Sequence, residues 1–421
     1  MATKTTVEIR MYHVGFGDAF RITVKRGDDV WRMLVDCGVH GSSVGADIAK
    51  SVRDIIDDLK RDSRDGTPHL DVVVATHHHQ DHVVGFAEDG WDDVQVDEVW
   101  LPYVENPKDP DTEKLGNHAF AAARLEAMIN ARLAKPGLSA DATAMLNMAK
   151  AFAVNSGAKE QIEKAMDRLG SVKGRHFATP LKPRFLPATN EDKNTIDIGR
   201  LDIVAHILGP SRDPDMLKKM NPPKSVHWLN LDEIDADPID DDRPLFATKY
   251  IVDRSTVSSE MMGAKNSMRL ANLTDEMGIL AAASLLESAT NNTSLFFVLQ
   301  VGEMHFLFPG DAQHGAWEHV RTNPQSMALI ENVDFYKVGH HGSHNATPKP
   351  FVFDEWLTTG DAMVPWGSVT SFDDTIPEKK LLRKLTDKKH RVILPGDVRP
   401  GDGTAKLLQK PNWTQLTFTV P

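Results

Sequence analysis

Seven of the chain's eighteen histidines fall in two short windows. The first is Thr76-His77-His78-His79-Gln80-Asp81-His82, and the second is Gly339-His340-His341-Gly342-Ser343-His344. Between them lies Pro309-Gly310-Asp311. Imidazole and carboxylate are borderline ligands suited to zinc, manganese or iron, and a loop presenting several of them gathers enough donors for one or two ions. His77 and His79 alternate to one side, and Asp81 and His82 follow on the turn, so the spacing offers two pairs of ligands to two neighbouring sites. His78, between ligands, is expected to point away. A carboxylate such as Asp311 can bridge two dications, and a water between them is acidified towards hydroxide at neutral pH. A surface run of histidines explains the first window poorly, because it is internal and directly follows the apolar run Leu70–Ala75.

Such ligands need rigid strand ends to deliver them. Alternating apolar residues predict strands at Thr6–Tyr12, Ala19–Val24 and Trp31–Val35, and short apolar runs predict others at Leu70–Ala75 and Val96–Leu101. Helical spacing marks Ala46–Leu59, and alanine-rich helices are expected at Ala119–Leu133 and Ala140–Val154, followed by Lys159–Leu169. Strand character returns at Leu201–Leu208. Ser211 to about Met268 is polar, proline-bearing and aperiodic, which reads as long loops or a lid, and Ile279–Leu286 is again helical. Further strands are expected at Leu295–Val301, His305–Phe308, Val333–Val338, Val392–Leu394 and Leu416–Val420, with a helix at Pro377–Leu385. Both strand-rich ends belong to one α/β scaffold, and a layered α/β/β/α sandwich is favoured over separate domains. The expected division is 1–110 and 291–421 as its two halves, 111–200 as a mainly helical insertion, 201–210 as a return strand, and 211–290 as a loop and helix insertion.

Composition narrows the function. The 421 residues are 41% hydrophobic, enough for a sizeable core and too many for a disordered chain. No apolar run approaches the roughly 18–20 residues a membrane span needs, and Met1-Ala2-Thr3-Lys4 begins no apolar leader. The single cysteine, Cys37, makes no internal disulfide and reads as a packing residue, so the expected location is cytoplasmic. A net charge of −12 disfavours extensive tracking of a phosphate backbone, though two dications would place about four positive charges where a phosphate sits.

On these residues the chain resembles the metallo-β-lactamase-fold hydrolases, whose signature is Thr/Ser-His-x-His-x-Asp-His-x-x-Gly. Thr76, His77, His79, Asp81, His82 and Gly85 match it in order. It is more similar still to the metallohydrolase domain of bacterial competence (DNA-uptake) proteins and their stand-alone relatives. The opening of that branch matches Val14-Gly15-Phe16-Gly17-Asp18-Ala19, and its next strand end matches Leu34-Val35-Asp36-Cys37-Gly38. Later pieces match Asn291-Asn292-Thr293-Ser294-Leu295, Gly310-Asp311 and Lys337-Val338-Gly339-His340-His341-Gly342-Ser343.

The resemblance implies a four-layer αββα fold and a hydrolase with two divalent ions, zinc first, with manganese or iron as alternatives. His77 and His79 would hold the first ion, Asp81 and His82 the second, and Asp311 would bridge them. One of His340 and His341 would complete the second site, with His340 preferred because it is nearer the strand end, and the other would face substrate. Asp36 would orient a ligand imidazole from behind, Asp18 would pin the glycine-rich turn, and His13 and Ser343 would line the pocket. Many relatives carry a further first-ion histidine after the strand equivalent to Leu201–Leu208, where this chain reads Leu208-Gly209-Pro210-Ser211. His206, His118 and His176 are the candidate replacements.

The implied activity is phosphoester hydrolysis, a phosphodiester of nucleic acid or a nucleotide first, with Asp81 orienting the hydroxide and His341 or Ser343 assisting at the phosphoryl oxygen or leaving group. The alternatives are a small-molecule esterase, of phosphorylcholine-esterase or lactonase type, and a non-catalytic metal-binding protein that docks a partner through its helical insertion.

Overall fold

In β1 (Thr6–Tyr12) the odd positions Val7, Ile9 and Met11 are fully buried in one core, and the same alternation recurs along the chain. The structure is a computed structural model. It describes residues 3–112, 129–134, 137–156, 160–217, 289–369 and 376–421, with Leu125, Lys219, Trp228, Ile279, Leu280 and Ala283 between them. After β1 come β2 (Phe20–Arg26), β3 (Asp29–Val35), α1 (Ile48–Asp62), β4 (His69–Val74) and β5 (Gln95–Pro102). The insertion holds α2 (Ala140–Ser156) and α3 (Glu160–Leu169), then β6 (Arg184–Leu186), β7 (Thr195–Asp197) and β8 (Ile203–Gly209). The chain continues with β9 (Phe296–Val301), β10 (Met304–Phe308), α4 (His314–Thr322), α5 (Pro324–Ile330), β11 (Phe335–Lys337) and β12 (Asp361–Met363). It ends with α6 (Lys379–Asp387), β13 (Arg391–Leu394), β14 (Asp397–Arg399), β15 (Lys406–Lys410) and β16 (Trp413–Thr419).

These strands form two mixed sheets, ordered β15-β16-β1-β2-β3-β4-β5-β6 and β14-β13-β12-β11-β10-β9-β8-β7. Their inner faces share one apolar core, to which Phe20, Trp31 and Met33 contribute from the first sheet and Phe297, Phe306 and Phe308 from the second. The outer face of the first sheet packs on α1 and α3 through Leu34, Val73, Ile55, Leu59 and Ile162. The second packs on α4 and α6 through Val298, Leu307, Trp317 and Leu381. The result is an α/β sandwich of two sheets between helices, the layering that the element pattern predicts.

The two sheets are not the two ends of the sequence. The β15–β16 hairpin returns to the first sheet, where β16 pairs antiparallel with β1 and Thr6 lies opposite Thr419. The segment 111–200, expected to be mainly helical, also supplies β6 and β7 as the last strands of the two sheets. Strands of three residues are too short to show alternation, which is why β6, β7, β12 and β14 leave no sequence signal. Most of the helices expected at Ala119–Leu133 and Ile279–Leu286, and most of the loop expected at 211–290, lie outside the described residues. The described parts of both insertions meet in a small core of Leu146, Ala149, Ala153, Ile279 and Ala283. Among the described residues no helix is long and apolar enough to cross a membrane.

Part of the sheet beneath α1 is charged. Arg10 and Arg21 face one another across β1 and β2, and both are buried. Asp58 and Asp62 of α1 reach down to them, Arg10 pairing with Asp58, and Arg21 Nη2 lying 2.6 Å from Asp62 Oδ2. Tyr12 Oη donates to Asp58 Oδ2 at 3.1 Å. Breaking one member of such a buried set leaves its partner uncompensated, which favours a single docking position for α1.

His390 gives the fold a pH dependence of known sign. Its ring stacks on Trp356 at 3.6 Å between centroids, and its Nδ1 accepts from Gly360 N at 3.2 Å. Burial, with Lys388 adding to it, lowers its pKa to about 4. The unfolded chain therefore binds the extra proton between about pH 6.5 and 4, and stability falls as pH drops through that window. His390→Asn retains an acceptor for Gly360 and cannot titrate. Urea midpoints measured from pH 7 to 4 are expected to fall less steeply in this variant than in the parent; equal slopes would assign the loss to other groups.

Candidate metal centre

Four strands whose neighbours run parallel deliver the site from their carboxyl ends: β3 leads to Asp36, β4 to the His77–His82 turn, β10 to Asp311 and β11 to His340 and His341. Carboxyl ends of parallel strands are where α/β sheets gather polar groups. The two sheets are tied at this rim, since Leu295 N donates to Thr76 O at 2.8 Å. Gly38, just after β3, lets the His77–His82 turn approach: a Cβ there would lie 2.4 Å from both Asp81 C and His82 N.

Asp81, His82, Asp311 and His341 bring one donor atom each to within 4.8 Å of one another, and all four are buried. His82 Nε2 is 3.0 Å from Asp311 Oδ2, and His341 Nε2 is 3.0 Å from Asp81 Oδ2. Each imidazole is fixed from behind. His82 Nδ1–H donates to Asp36 Oδ2 at 2.8 Å, and His341 Nδ1–H donates to the Pro365 carbonyl at 2.9 Å. Tying Nδ1 to an acceptor leaves Nε2 as the atom that could take a ligand on both rings. Asp36 is itself held by Thr76, whose N–H and Oγ1–H donate to it at 2.7 Å each. Phe16, from the glycine-rich turn, packs its ring 4.1 Å from that of His341.

Charge is unevenly distributed here. Burial pushes the Asp311 carboxyl up, but His82 and Lys337 outweigh it and hold the group well below the usual carboxylate range. Asp81 behaves alike, through His82 and His341. Burial opposes protonation of His82, yet Asp311, Asp18 and Asp36 hold its pKa well above the ordinary value. Burial, with His82 and His79, holds His77 well below its ordinary value.

His77 and His79 form a second, smaller pair. His77 Nε2 lies 3.0 Å from His79 Nδ1, while His77 Nδ1 lies 3.2 Å from Ser294 Oγ. Two nitrogens on one tetrahedral zinc stand about 3.3 Å apart, so this spacing suits chelation as well as a shared proton. His78 turns away as expected, its Nδ1 2.6 Å from Glu105 Oε1.

Neither family models nor curated proteins match this chain. What the cluster can hold follows from its own atoms. Two ionised carboxylates and two imidazoles converge in a buried space, and Asp81 Oδ1, buried, makes no hydrogen bond. A buried carboxylate oxygen without a hydrogen bond is costly, and a cation would satisfy it. The donor set fits a divalent ion.

The preference for His340 over His341 as a ligand does not match this geometry. His340 and His341 both adopt left-handed backbone, with φ of 47° and 51°. That strained turn swings the His341 ring into the cluster and leaves His340 to contribute its backbone N–H, which donates to Asp311 Oδ1 at 2.9 Å. Proximity to the strand end is a poor guide across such a reversal. Asp18 does more than pin a turn: besides backbone bonds to Asp81 and Gly38, its carboxylate is buried beside Lys337, His82 and His341. Ser343 Oγ donates to Asn345 Oδ1 at 3.0 Å, and His13 bonds Pro411 O and Thr414 Oγ1. Of the candidate extra ligands, His206 pairs with Gln300 on β9 at 2.9 Å, and His176 Nδ1 donates to Phe177 O. Neither joins the cluster, and His118 lies outside the described residues. Cys37 is fully buried, and burial pushes its thiol up, as befits a packing residue.

Sequence reasoning assigns no role to Thr76, Ser294, Lys337 or Asn155. Ser294 Oγ accepts from Asp311 N at 3.0 Å, joining the two halves of the site. Asn155 of α2 accepts from Asp81 N at 3.3 Å, so the helical insertion touches the ligand turn. The first three sit inside the motifs that carry the family resemblance, and that is their only signal. Asn155 has none, because it lies on an insertion.

Proposed function

We propose that the chain is a divalent-metal hydrolase of metallo-β-lactamase fold, akin to the competence metallohydrolase domains, and that it cleaves phosphodiesters. One observation carries the reading: the buried quartet of Asp81, His82, Asp311 and His341 at the carboxyl ends of parallel strands, with both ligand imidazoles anchored through Nδ1. An ion bound there supplies Lewis acidity and lowers the pKa of water towards neutrality. The chain's own residues do the rest. Asp36 and Pro365 hold the two rings in one tautomer, and Asp81 keeps one oxygen available to a ligand or an attacking water. His340, half-buried, would be the late histidine that meets a phosphoryl oxygen. The global charge of −12 opposes long-range attraction of nucleic acid but not chemistry at this centre.

A second reading, a small-molecule phosphoesterase, has one observation in its favour. Helix α2 packs over the ligand turn, with Asn155 bonded to Asp81 and the Ala151 carbonyl 3.3 Å from His40 Nε2, which confines the approach.

The test begins with metal. The quartet offers four donors and the His77–His79 pair two, so titration of chelator-treated protein is expected to show one tightly held zinc or manganese per chain and a weaker second. Reloaded protein is then assayed on bis-p-nitrophenyl phosphate, single-stranded and duplex DNA, cyclic dinucleotides and phosphorylcholine. Turnover restricted to phosphorylcholine would favour the second reading. Tight metal with no turnover on any ester would sink the hydrolase reading and leave a metal-binding scaffold.

A further inference from the structure

Lys337, at the end of β11, is 2% exposed, yet its ammonium is enclosed by oxygen. Nζ donates to the Gly310 carbonyl at 3.0 Å and to Asp311 Oδ1 at 3.1 Å, and it is in contact with Asp18 Oδ2. Burial alone would discharge a lysine, but Asp18 and Asp311 hold its pKa above the ordinary value. Burying an ammonium costs several kcal/mol before pairing, and a methionine of similar length would fill the space without that cost. The charge therefore has a use other than packing.

Its use follows from which oxygen it touches. Asp311 Oδ1 accepts from Lys337 Nζ and from His340 N, so its hydrogen-bonding capacity is taken up on that side. Oδ2 alone faces His82 Nε2 and the quartet. Asp18 balances the ammonium and stands behind both ligand rings, with Oδ1 3.5 Å from His341 Nδ1 and Oδ2 3.8 Å from His82 Nδ1. We propose that Lys337 and Asp18 form a buried positioning pair that restricts Asp311 to a single ligating oxygen, Oδ2, and sets the net charge behind the ion. The proposal rests on reading the quartet as a divalent-ion site.

The two partners are predicted to have opposite effects on ion affinity, which separates positioning from structural support. Lys337→Met removes a positive charge one carboxylate away from the ion and leaves Asp311 Oδ1 with the His340 N–H but without the ammonium. Cobalt(II) is expected to bind about ten-fold more tightly, the scale of a unit charge acting on a dication across partly screened protein, and its visible absorption bands to shift as Asp311 gains a second oxygen. Asp18→Asn leaves Lys337 on Asp311 Oδ1 and removes its counter-charge. Cobalt is then expected to bind about ten-fold more weakly, with wild-type band positions. Affinities are read by competition with a chromogenic chelator, and folding by circular dichroism. Weakened binding in a folded Lys337→Met variant, or bands identical to wild type, would overturn the proposal. If that variant does not fold, Asp18→Asn decides alone: unchanged affinity rejects the pair's electrostatic role. If wild-type protein binds no cobalt, it is the metal-site reading that fails, not the pairing.

Discussion

Asp81→Ala is expected to lower turnover of bis-p-nitrophenyl phosphate at least about a thousand-fold, or about 4 kcal/mol of transition-state stabilisation, while the fold survives. The two halves of this expectation come from different atoms. The carboxylate supplies Oδ2 to His341 Nε2 at 3.0 Å and holds Oδ1 without a hydrogen bond, so its loss removes a ligand and releases a ligand ring. The backbone of Asp81 does the structural work. Its N–H bonds Asn155 Oδ1 at 3.3 Å and its carbonyl accepts from Asp18 N at 2.9 Å, and alanine retains both. Bound zinc, measured by atomic emission after desalting, is expected to fall with activity, while the thermal midpoint of the chelated protein changes little. Retained turnover with retained metal would remove Asp81 from the chemistry.

Much of this site was legible because ligand chemistry is local. His77, His79, Asp81 and His82 lie within six residues on one turn, and their types alone point to a candidate cation site. Asp311 was legible because it follows an apolar strand, and Asp36 only through the family resemblance. What the sequence concealed was rotation. Two consecutive non-glycine residues in left-handed conformation reverse the order in which His340 and His341 meet the site, and no spacing rule reports such a turn. It also concealed partners that are remote in sequence: Pro365 offers a carbonyl, not a side chain, and Lys337 reads as an ordinary strand-end cation until Asp18 is seen beside it.

The fold divides along the same line. Strands such as β1 and β2 are visible because apolar residues alternate along their sequence, and β9 because it is a continuous apolar run; both signals are local. The return of β15 and β16 to the first sheet is not local. It depends on Ile9 finding Leu416 across the whole length of the chain. The arginines beneath α1 were equally hidden, since nothing local to Arg10 and Arg21 reports that Asp58 and Asp62 reach them from the helix. In each case the missing information was a partner, not a propensity.

Gly38→Ala is the harshest single-methyl test of how this scaffold holds its ligands. An added Cβ would stand 2.4 Å from Asp81 C and His82 N and 2.6 Å from the Gln80 carbonyl. All three are backbone atoms, so no side chain can rotate aside, and the turn that carries Asp81 and His82 must move. Overpacking of this kind costs about 3 kcal/mol, and here the displaced atoms belong to the ligand turn. The expected result is a lower urea midpoint together with zinc affinity reduced at least about ten-fold, the scale seen when ligand-orienting contacts are lost. Gly45 provides the control. It has φ of +70° and nothing within 4 Å of where an added methyl would stand, so alanine there carries only left-handed strain of about 1 kcal/mol and leaves zinc affinity unchanged. A Gly38→Ala protein that loses stability yet binds zinc like wild type would show that the loop after β3 supports the fold without positioning the ligands.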